Sequence, residues 1–222
     1  TDDNLAGHRA GRMEIEQALG SGNTPLTILR AGLIVGPGGS SVRIMINLVR
    51  RLPVMILPEW TLTQTQPIAI DDVVRAVRIC LGAPPYFGGR YDIGGPEVMT
   101  FREMLERTAG ALGKKRVMAA VPHSAPVLSK MWVALLGGAS RYLVGPLVDS
   151  LRYSLVAKAN PLQAKLVAEA KSSDVALRES FDKQGRALPD PREPIRAIDD
   201  RAIRRAQRVR SVQRLPLPEG WT

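Results

Sequence analysis

Residues 25–40 read PLTILRAGLIVGPGGS, an apolar run that breaks into glycine. Leu26, Ile28 and Leu29 lie between turn residues, the pattern of a short strand covered on both faces. Gly32, Gly36, Gly38 and Gly39 follow, with Pro37 among them. A glycine has no Cβ, so its backbone can come close to a ligand. In open α/β sheets ligands sit beyond the carboxyl ends of the strands, where this loop would lie. The same spacing also suits a plain strand-to-helix connection, and spacing alone does not separate the two.

Upstream, residues 7–20 (GHRAGRMEIEQALG) have a helical pattern that Gly20 would stop. Met13, Ile15, Ala18 and Leu19 are its expected inner face. His8 and Arg12 lie four apart and so share a face. A histidine exchanges a proton near neutral pH, and a neighbouring cation favours its neutral form. The competing reading is an exposed polar turn of helix.

Downstream, Ser41–Leu52 is a predicted helix ended by Pro53, and Val54–Leu57 a short strand. Pro67–Ile70 is another strand. Asp71 stands where a side chain can cap the next helix, Asp72–Leu81. Its many valines predict deep burial, and Cys80 in that company reads as an inert core thiol. Gly89–Gly95 (GRYDIGG) is a strand running into a glycine pair. Thr100 and Glu103 form a capping-box pattern for a helix to Leu112, and Val117–Val121 is a last strand. Helices alternate with short strands and no repeat is present, so the class is α/β.

The chain has 222 residues, enough for a sizeable core. Its net charge of +10 raises nucleic acid and anionic membranes as partners. The basic excess is concentrated late, above all at Arg201, Arg204, Arg205, Arg208 and Arg210, where few aromatics are interleaved. A specific nucleic-acid site is therefore not expected. The single cysteine excludes an internal disulfide and fits a reducing, cytoplasmic compartment. No metal-ligand pattern stands out.

Residues 124–157 differ from what precedes them. Two apolar helical segments, 125–136 and 141–156, flank Gly137-Gly138. They read as a helical subdomain on the sheet or, alternatively, as a hairpin meeting a membrane surface or an apolar substrate. Residues 185–194 are rich in proline and charge and read as a linker. The expected organisation is a Rossmann-like portion at 1–121, a mainly helical cover at 122–184, and a linker with a basic connector helix at 185–222. Thr1-Asp2-Asp3 has no apolar run behind it, and no secretory signal is expected there. The first residue is not Met, so a fragment or processed product is expected.

Three motifs in order, PLTILRAGLIVGPG (25–38), QPIAIDDVV (66–74) and GRYDIGGPEVMTFRE (89–103), resemble the second half of extended and atypical short-chain dehydrogenases/reductases. The similarity covers roughly residues 7–121 and is nearest to the atypical NAD(P)H-binding branch, the NAD-dependent epimerase/dehydratase type. It implies a partial Rossmann-type parallel sheet, the second half of the fold, with a C-terminal helical region covering a substrate. It implies NADP or NAD as cofactor, with Ala31, Gly32, Leu33 and Ile34 meeting the nicotinamide through backbone. In the family, the helix before this strand carries Tyr-x-x-x-Lys, and here the matching positions hold His8 and Arg12. Arg12 would then bind ribose or phosphate, and His8 would move a proton. No glycine spacing in the chain fits the dinucleotide fingerprint, so the resemblance implies a chain lacking that half. A small apolar or quinone-like substrate is the expected partner, with membrane-surface contact through 125–156 as a further one. The oligomeric state stays open. Some relatives hold the dinucleotide without catalysis, as a structural or membrane-complex accessory subunit, and that alternative also stands.

Overall fold

The structure, a computed structural model, describes residues 14–120 and 153–189. His8, Arg12, the greater part of the apolar helix pair and the basic helix of the tail lie outside the described residues.

The framework is a set of short strand pairs, mostly parallel, with helices packed against them. Strand β1 (Ile28–Ala31) pairs in parallel with β6 (Arg90–Ile93). Strand β2 (Ile34–Val35) pairs in parallel with β5 (Ile68–Ala69), and β3 (Val54–Leu57) with β8 (Val117–Ala120). The pair of β4 (Gln64–Thr65) and β7 (Met99–Thr100) is antiparallel. Parallel pairs need crossovers, and helices supply them. These are α2 (Ser40–Arg51), α3 (Ile70–Cys80) and α4 (Phe101–Ala111). Helix α1 covers residues 14–20, and α5 (Pro161–Val167) and α6 (Ser173–Arg178) follow later in the chain.

The core has two parts. The larger joins α2 and α4 through Val42, Ile46, Val49, Met104 and Leu105, with Met55 and Leu57 of β3. Helix α4 starts where its capping box predicts: Thr100 accepts from the Glu103 amide, and Glu103 accepts from the Thr100 amide. The smaller part joins Ala76 and Cys80 of α3 with Leu162 and Leu166 of α5 over Ile68 and Ile93. Burial pushes the Cys80 thiol up, as an inert core thiol requires.

Four expectations are corrected. First, β1 is not covered on both faces; its side chains are half-buried or exposed. Leu29 and Ala31 face the smaller core, whereas Arg30 is exposed and paired with Glu16 of α1. A strand alternates its faces, and Arg30 makes the second face polar. Second, Ile15 and Leu19 of α1 are exposed, because Glu16 is the residue drawn to the strands, by Arg30 at 2.7 Å and Arg90 at 3.4 Å. Third, Asp71 does not cap α3. The helix begins two residues earlier, with Ala69 as its N-cap and no side-chain cap, and Asp71 pairs with Lys171 at 2.7 Å. Fourth, α3 is not deeply buried: Asp72, Ala76 and Cys80 face inward while Val74 and Val77 are exposed. Burying Asp72 requires partners. The Lys171 amide donates to it at 2.9 Å, and Arg75 pairs with it at 3.2 Å.

Residues 153–157, the end of an expected helix, are extended: Leu155 bridges Thr65 in parallel. Residues 185–188 fold back, with Phe181 bridging Ala187 and the Leu188 amide donating to the Ser180 carbonyl at 2.9 Å.

Candidate functional site

Because β1 and β6 run in parallel with Ala31 opposite Ile93, both strands end on one rim. Gly32 leaves β1 there, and Gly94-Gly95 leaves β6. This is the end of a parallel pair at which α/β folds place their ligands.

The glycines on the rim are required by neighbours in the same chain. A Cβ on Gly32 would stand 2.9 Å from the Leu155 Cβ and carbonyl oxygen, and one on Gly94 2.6 Å from the Gln66 side chain. A Cβ on Gly95 would overlap the Pro67 carbonyl oxygen, and the Gly95 amide donates to that oxygen at 3.0 Å. Gly36 is closed by Ile70, 2.5 Å from where its Cβ would be. Close approach is thus used for packing at Gly32, Gly36, Gly94 and Gly95.

Three neutral side chains knit this rim. Gln66, 8% exposed, donates to the Gly95 carbonyl at 2.7 Å and accepts from the Ala157 amide at 3.0 Å. Gln163, equally buried, accepts from the Gly94 amide at 2.8 Å and donates to the Gly94 carbonyl at 3.0 Å. Asn160 caps α5 by accepting from the Gln163 amide at 2.8 Å and donates to the Asp92 carbonyl at 2.8 Å. A buried amide left unpaired is costly, so these contacts hold the strand ends, residues 155–157 and α5 in one arrangement. The sequence reading missed Asn160, Gln163 and Gln66 as rim residues. Asn-Pro at 160–161 is a helix-start signature, and Gln66 opens a motif already singled out, but their long-range partners are not written locally.

The expected nicotinamide positions lie on this rim. Ala31 is half-buried, Gly32 and Ile34 are exposed, and Leu33 is buried with its carbonyl accepting from the Ile68 amide at 2.9 Å. The segment therefore offers surface at alternate residues and is anchored between them. His8 and Arg12 precede α1 in sequence. The described part of α1 adjoins the polar face of β1 and β6 through Glu16, whose carboxyl is held below its ordinary range by the hydrogen bond from Arg30 and the charges of Arg30 and Arg90. Among the described residues no group of histidine, cysteine and carboxylate side chains is placed to hold a metal. Among them also, no helix is long and apolar enough to cross a membrane.

No family model matches the sequence, and no curated protein matches it. Solved structures do. UDP-glucose 4-epimerase from Thermotoga maritima matches 77% of this chain with 17% identity and a TM-score of 0.51. Triphenylmethane reductase from Citrobacter sp. matches 71% with 15% identity and the same TM-score of 0.51. The chain spans about half of each, 49% and 53% of their lengths. At this identity the likeness is one of fold: a mixed α/β architecture equivalent to part of a Rossmann-like sheet, the class and the structural company that the three motifs imply.

Proposed function

We propose that this chain is the nicotinamide-side and substrate half of an NAD(P)-binding oxidoreductase or epimerase-like protein of the atypical short-chain dehydrogenase/reductase type. The observation that carries this reading is the exposure of Gly32, at the carboxyl end of β1, and of Ile34, at the start of β2. Both residues lie in a fold shared with an epimerase and a reductase. The residues suit the nicotinamide end of the cofactor, since the exposed positions are backbone-rich and Leu33 is pinned between them. They do not suit the pyrophosphate end, because no glycine spacing in the chain forms a phosphate cradle. When bound, the dinucleotide supplies or accepts the hydride. Ala31, Gly32, Leu33 and Ile34 would meet the nicotinamide, Arg12 would hold ribose hydroxyls or phosphate, and His8 would pass a proton to or from a substrate oxygen. The substrate class that suits the apolar sequence at 125–136 and 141–152 is a small apolar or quinone-like carbonyl compound.

One observation favours a second reading, a non-catalytic NADPH-binding structural or membrane-complex accessory protein. The described rim is knitted by neutral side chains, Gln66, Asn160 and Gln163, bound to backbone of their own chain. Titration of the complete gene product with NADPH and NADH, followed by cofactor fluorescence, tests both readings. Binding with turnover of a carbonyl or quinone, reduced by His8→Ala without loss of binding, is the expected result. Stoichiometric binding without turnover would select the accessory role, and absence of binding would end both.

A further inference from the structure

At the amino ends of β3 and β8 two basic segments meet. Arg50 and Arg51 close α2, and Lys114, Lys115 and Arg116 lead into β8. Backbone pairing brings them together: Val54 stands opposite Val117, and the Val117 amide donates to the Pro53 carbonyl at 3.1 Å. The Arg116 guanidinium then donates to the Val49 carbonyl at 2.6 Å, at the end of α2. Cations at a helix C-terminus offset its dipole and bind its free carbonyls, which accounts for Arg116. It does not account for Lys114 and Lys115. These two and Arg51 are exposed, and among the described residues none of the three has an ion pair.

No carboxylate stands close to them in sequence. Residues 40–58 and 107–120 contain neither aspartate nor glutamate. The acidic side chains of α4 are engaged on their own helix, Glu103 in the capping box and Glu106 with Arg102 at 2.9 Å. The residues outside the described part bring more cations than carboxylates, wherever they pack. Residues 121–152 hold Lys130, Arg141 and Arg152 against Asp149 alone, and arginines outnumber carboxylate side chains in residues 190–222. In residues 1–13, Asp2 and Asp3 are matched by Arg9 and Arg12. The chain thus carries no surplus of acid with which to neutralise this end.

Between the cations lies an apolar pair. Met55 is buried in the larger core and its register partner Met118 packs against it, so the preceding pair, Val54 and Val117, points the other way. These two valines are 54% and 62% exposed. Short apolar side chains among long cations suit the boundary between lipid headgroups and acyl chains, where apolar burial and attraction to anionic lipid add. A nucleic-acid face calls for other chemistry, since residues 50–57 and 113–119 contain no aromatic side chain to stack on bases. A protein partner is usually held by aromatic or arginine anchors in fixed geometry, and the one arginine fixed here, Arg116, is engaged with α2.

We propose that Arg50, Arg51, Lys114 and Lys115, with Val54 and Val117 between them, form a peripheral docking face for an anionic lipid surface. The cationic head groups reach the acidic headgroups on flexible stems, and the valines enter between them. Arg116 and the β3–β8 pairing hold the two basic segments side by side, so the face is formed before the membrane is met. It stands at the amino ends of β3 and β8, whereas the rim proposed for the nicotinamide lies at the carboxyl end of β1. The inference rests on neither reading of that rim.

The test is flotation of the full chain with phosphatidylcholine vesicles that contain or lack phosphatidylserine. Binding to the phosphatidylserine vesicles alone, weakening as sodium chloride is raised, is the expected result. Lys114→Gln with Lys115→Gln lowers the partition coefficient about 25-fold, about 5-fold for each charge, and leaves the urea midpoint unchanged. Lys165→Gln with Lys183→Gln makes the same change of net charge at exposed positions elsewhere and lowers it by about 2-fold or less. Lysine acetylation read by mass spectrometry is the second measurement: Lys114 and Lys115 react in the free protein and are shielded on the vesicles, while Lys165 reacts in both. Unreactive Lys114 and Lys115 in the free protein would overturn the proposal, because the chain then covers this face itself. Equal losses from the two pairs of substitutions would also overturn it, because net charge then acts without a face. So would absence of vesicle binding, and if inorganic phosphate or duplex DNA bound instead, with sensitivity to Lys114→Gln and Lys115→Gln, the face would belong to a free anion or to nucleic acid.

Discussion

Helices α2 and α3 are of nearly equal length, 12 and 11 residues, and both carry strong apolar patterns, yet they are used in opposite ways. Helix α2 buries Val42, Met45, Ile46, Leu48 and Val49 against α4 and β3. Helix α3 buries Asp72, Ala76 and Cys80, packs Val73 and Ile79 against the smaller core, and leaves Ile70, Val74 and Val77 exposed. A stripe of apolar residues states that a face wants a partner; it does not state which partner, or whether that partner lies in the same chain. Helix α2 finds its partner about sixty positions on, in a helix anchored by its own capping box. Helix α3 finds one on only one flank.

The sharpest way to break this contrast is truncation on the two helices. Ile46→Ala empties a fully buried site and is expected to lower unfolding free energy by about 2–5 kcal/mol in urea titration. A loss below about 1 kcal/mol would mean that the α2 layer is not the firmer one. Next in size is the strut between the layers and the rim. Gln66→Leu leaves the Gly95 carbonyl and the Ala157 amide without their partner, and a loss of about 1–3 kcal/mol is expected. Thr100→Ala removes the cap that starts α4 and should cost about 1 kcal/mol, with Thr100→Ser recovering most of it.

A pH titration sharpens the comparison further, because α4 is tied to α6 by charge. Burial pushes the Glu97 carboxyl up, but the hydrogen bond from the Ser173 amide at 3.0 Å and the ion pair with Arg107 at 3.1 Å outweigh it, and the group lies below its ordinary value of 4.5. The folded state therefore binds this proton less readily than the unfolded one. The stabilisation is complete above the ordinary value and is lost as pH falls through the lowered one. Glu97→Gln should flatten the acid limb of the stability profile below about pH 4.5, the ordinary value, and leave its neutral plateau nearly level apart from the lost pair. An unchanged acid limb would show that the pair contributes nothing. Smallest of all is Val77→Ala on α3, expected to stay within about 0.5 kcal/mol in the 222-residue chain. A loss as large as that at Ile46 would erase the contrast between the helices.

Much of the framework was legible because the signals that carry it are local. Pro53 ends α2, Thr100 and Glu103 start α4, and the apolar runs at 54–57 and 117–120 are strands. Parallel pairing was legible only as a class, from the alternation of helix and strand. The misreadings share one cause. Ile15 and Leu19, the valines of α3 and the run at 26–29 were read as inward because they are apolar. Inwardness is a relation to something else, and here Arg30, Arg90 and Glu16 settled which face of β1 receives α1. Asp71 had the right type and position for a cap, but Lys171, a hundred residues on, offered it a charge partner instead.

The sequence alone determined the α/β class, the helices at 40–51, 70–80 and 101–111 with the strands beside them, and the glycine-bearing strand end at residues 31–39, since propensity, capping and turn chemistry act within a few residues. It also showed that no glycine spacing fits the dinucleotide fingerprint, because glycine spacing is a local property. The tertiary structure alone decided what those glycines are for: Gly32 and Gly95 are approached by backbone of the same chain, at Leu155 and Pro67, and Gly36 and Gly94 by the side chains of Ile70 and Gln66. It alone decided that Gln66, Asn160 and Gln163 meet at the rim, and that Val74 and Val77 of α3 stay exposed. Those outcomes depend on which segments pack together across roughly 30 to 120 positions of chain, and no short-range pattern encodes that choice.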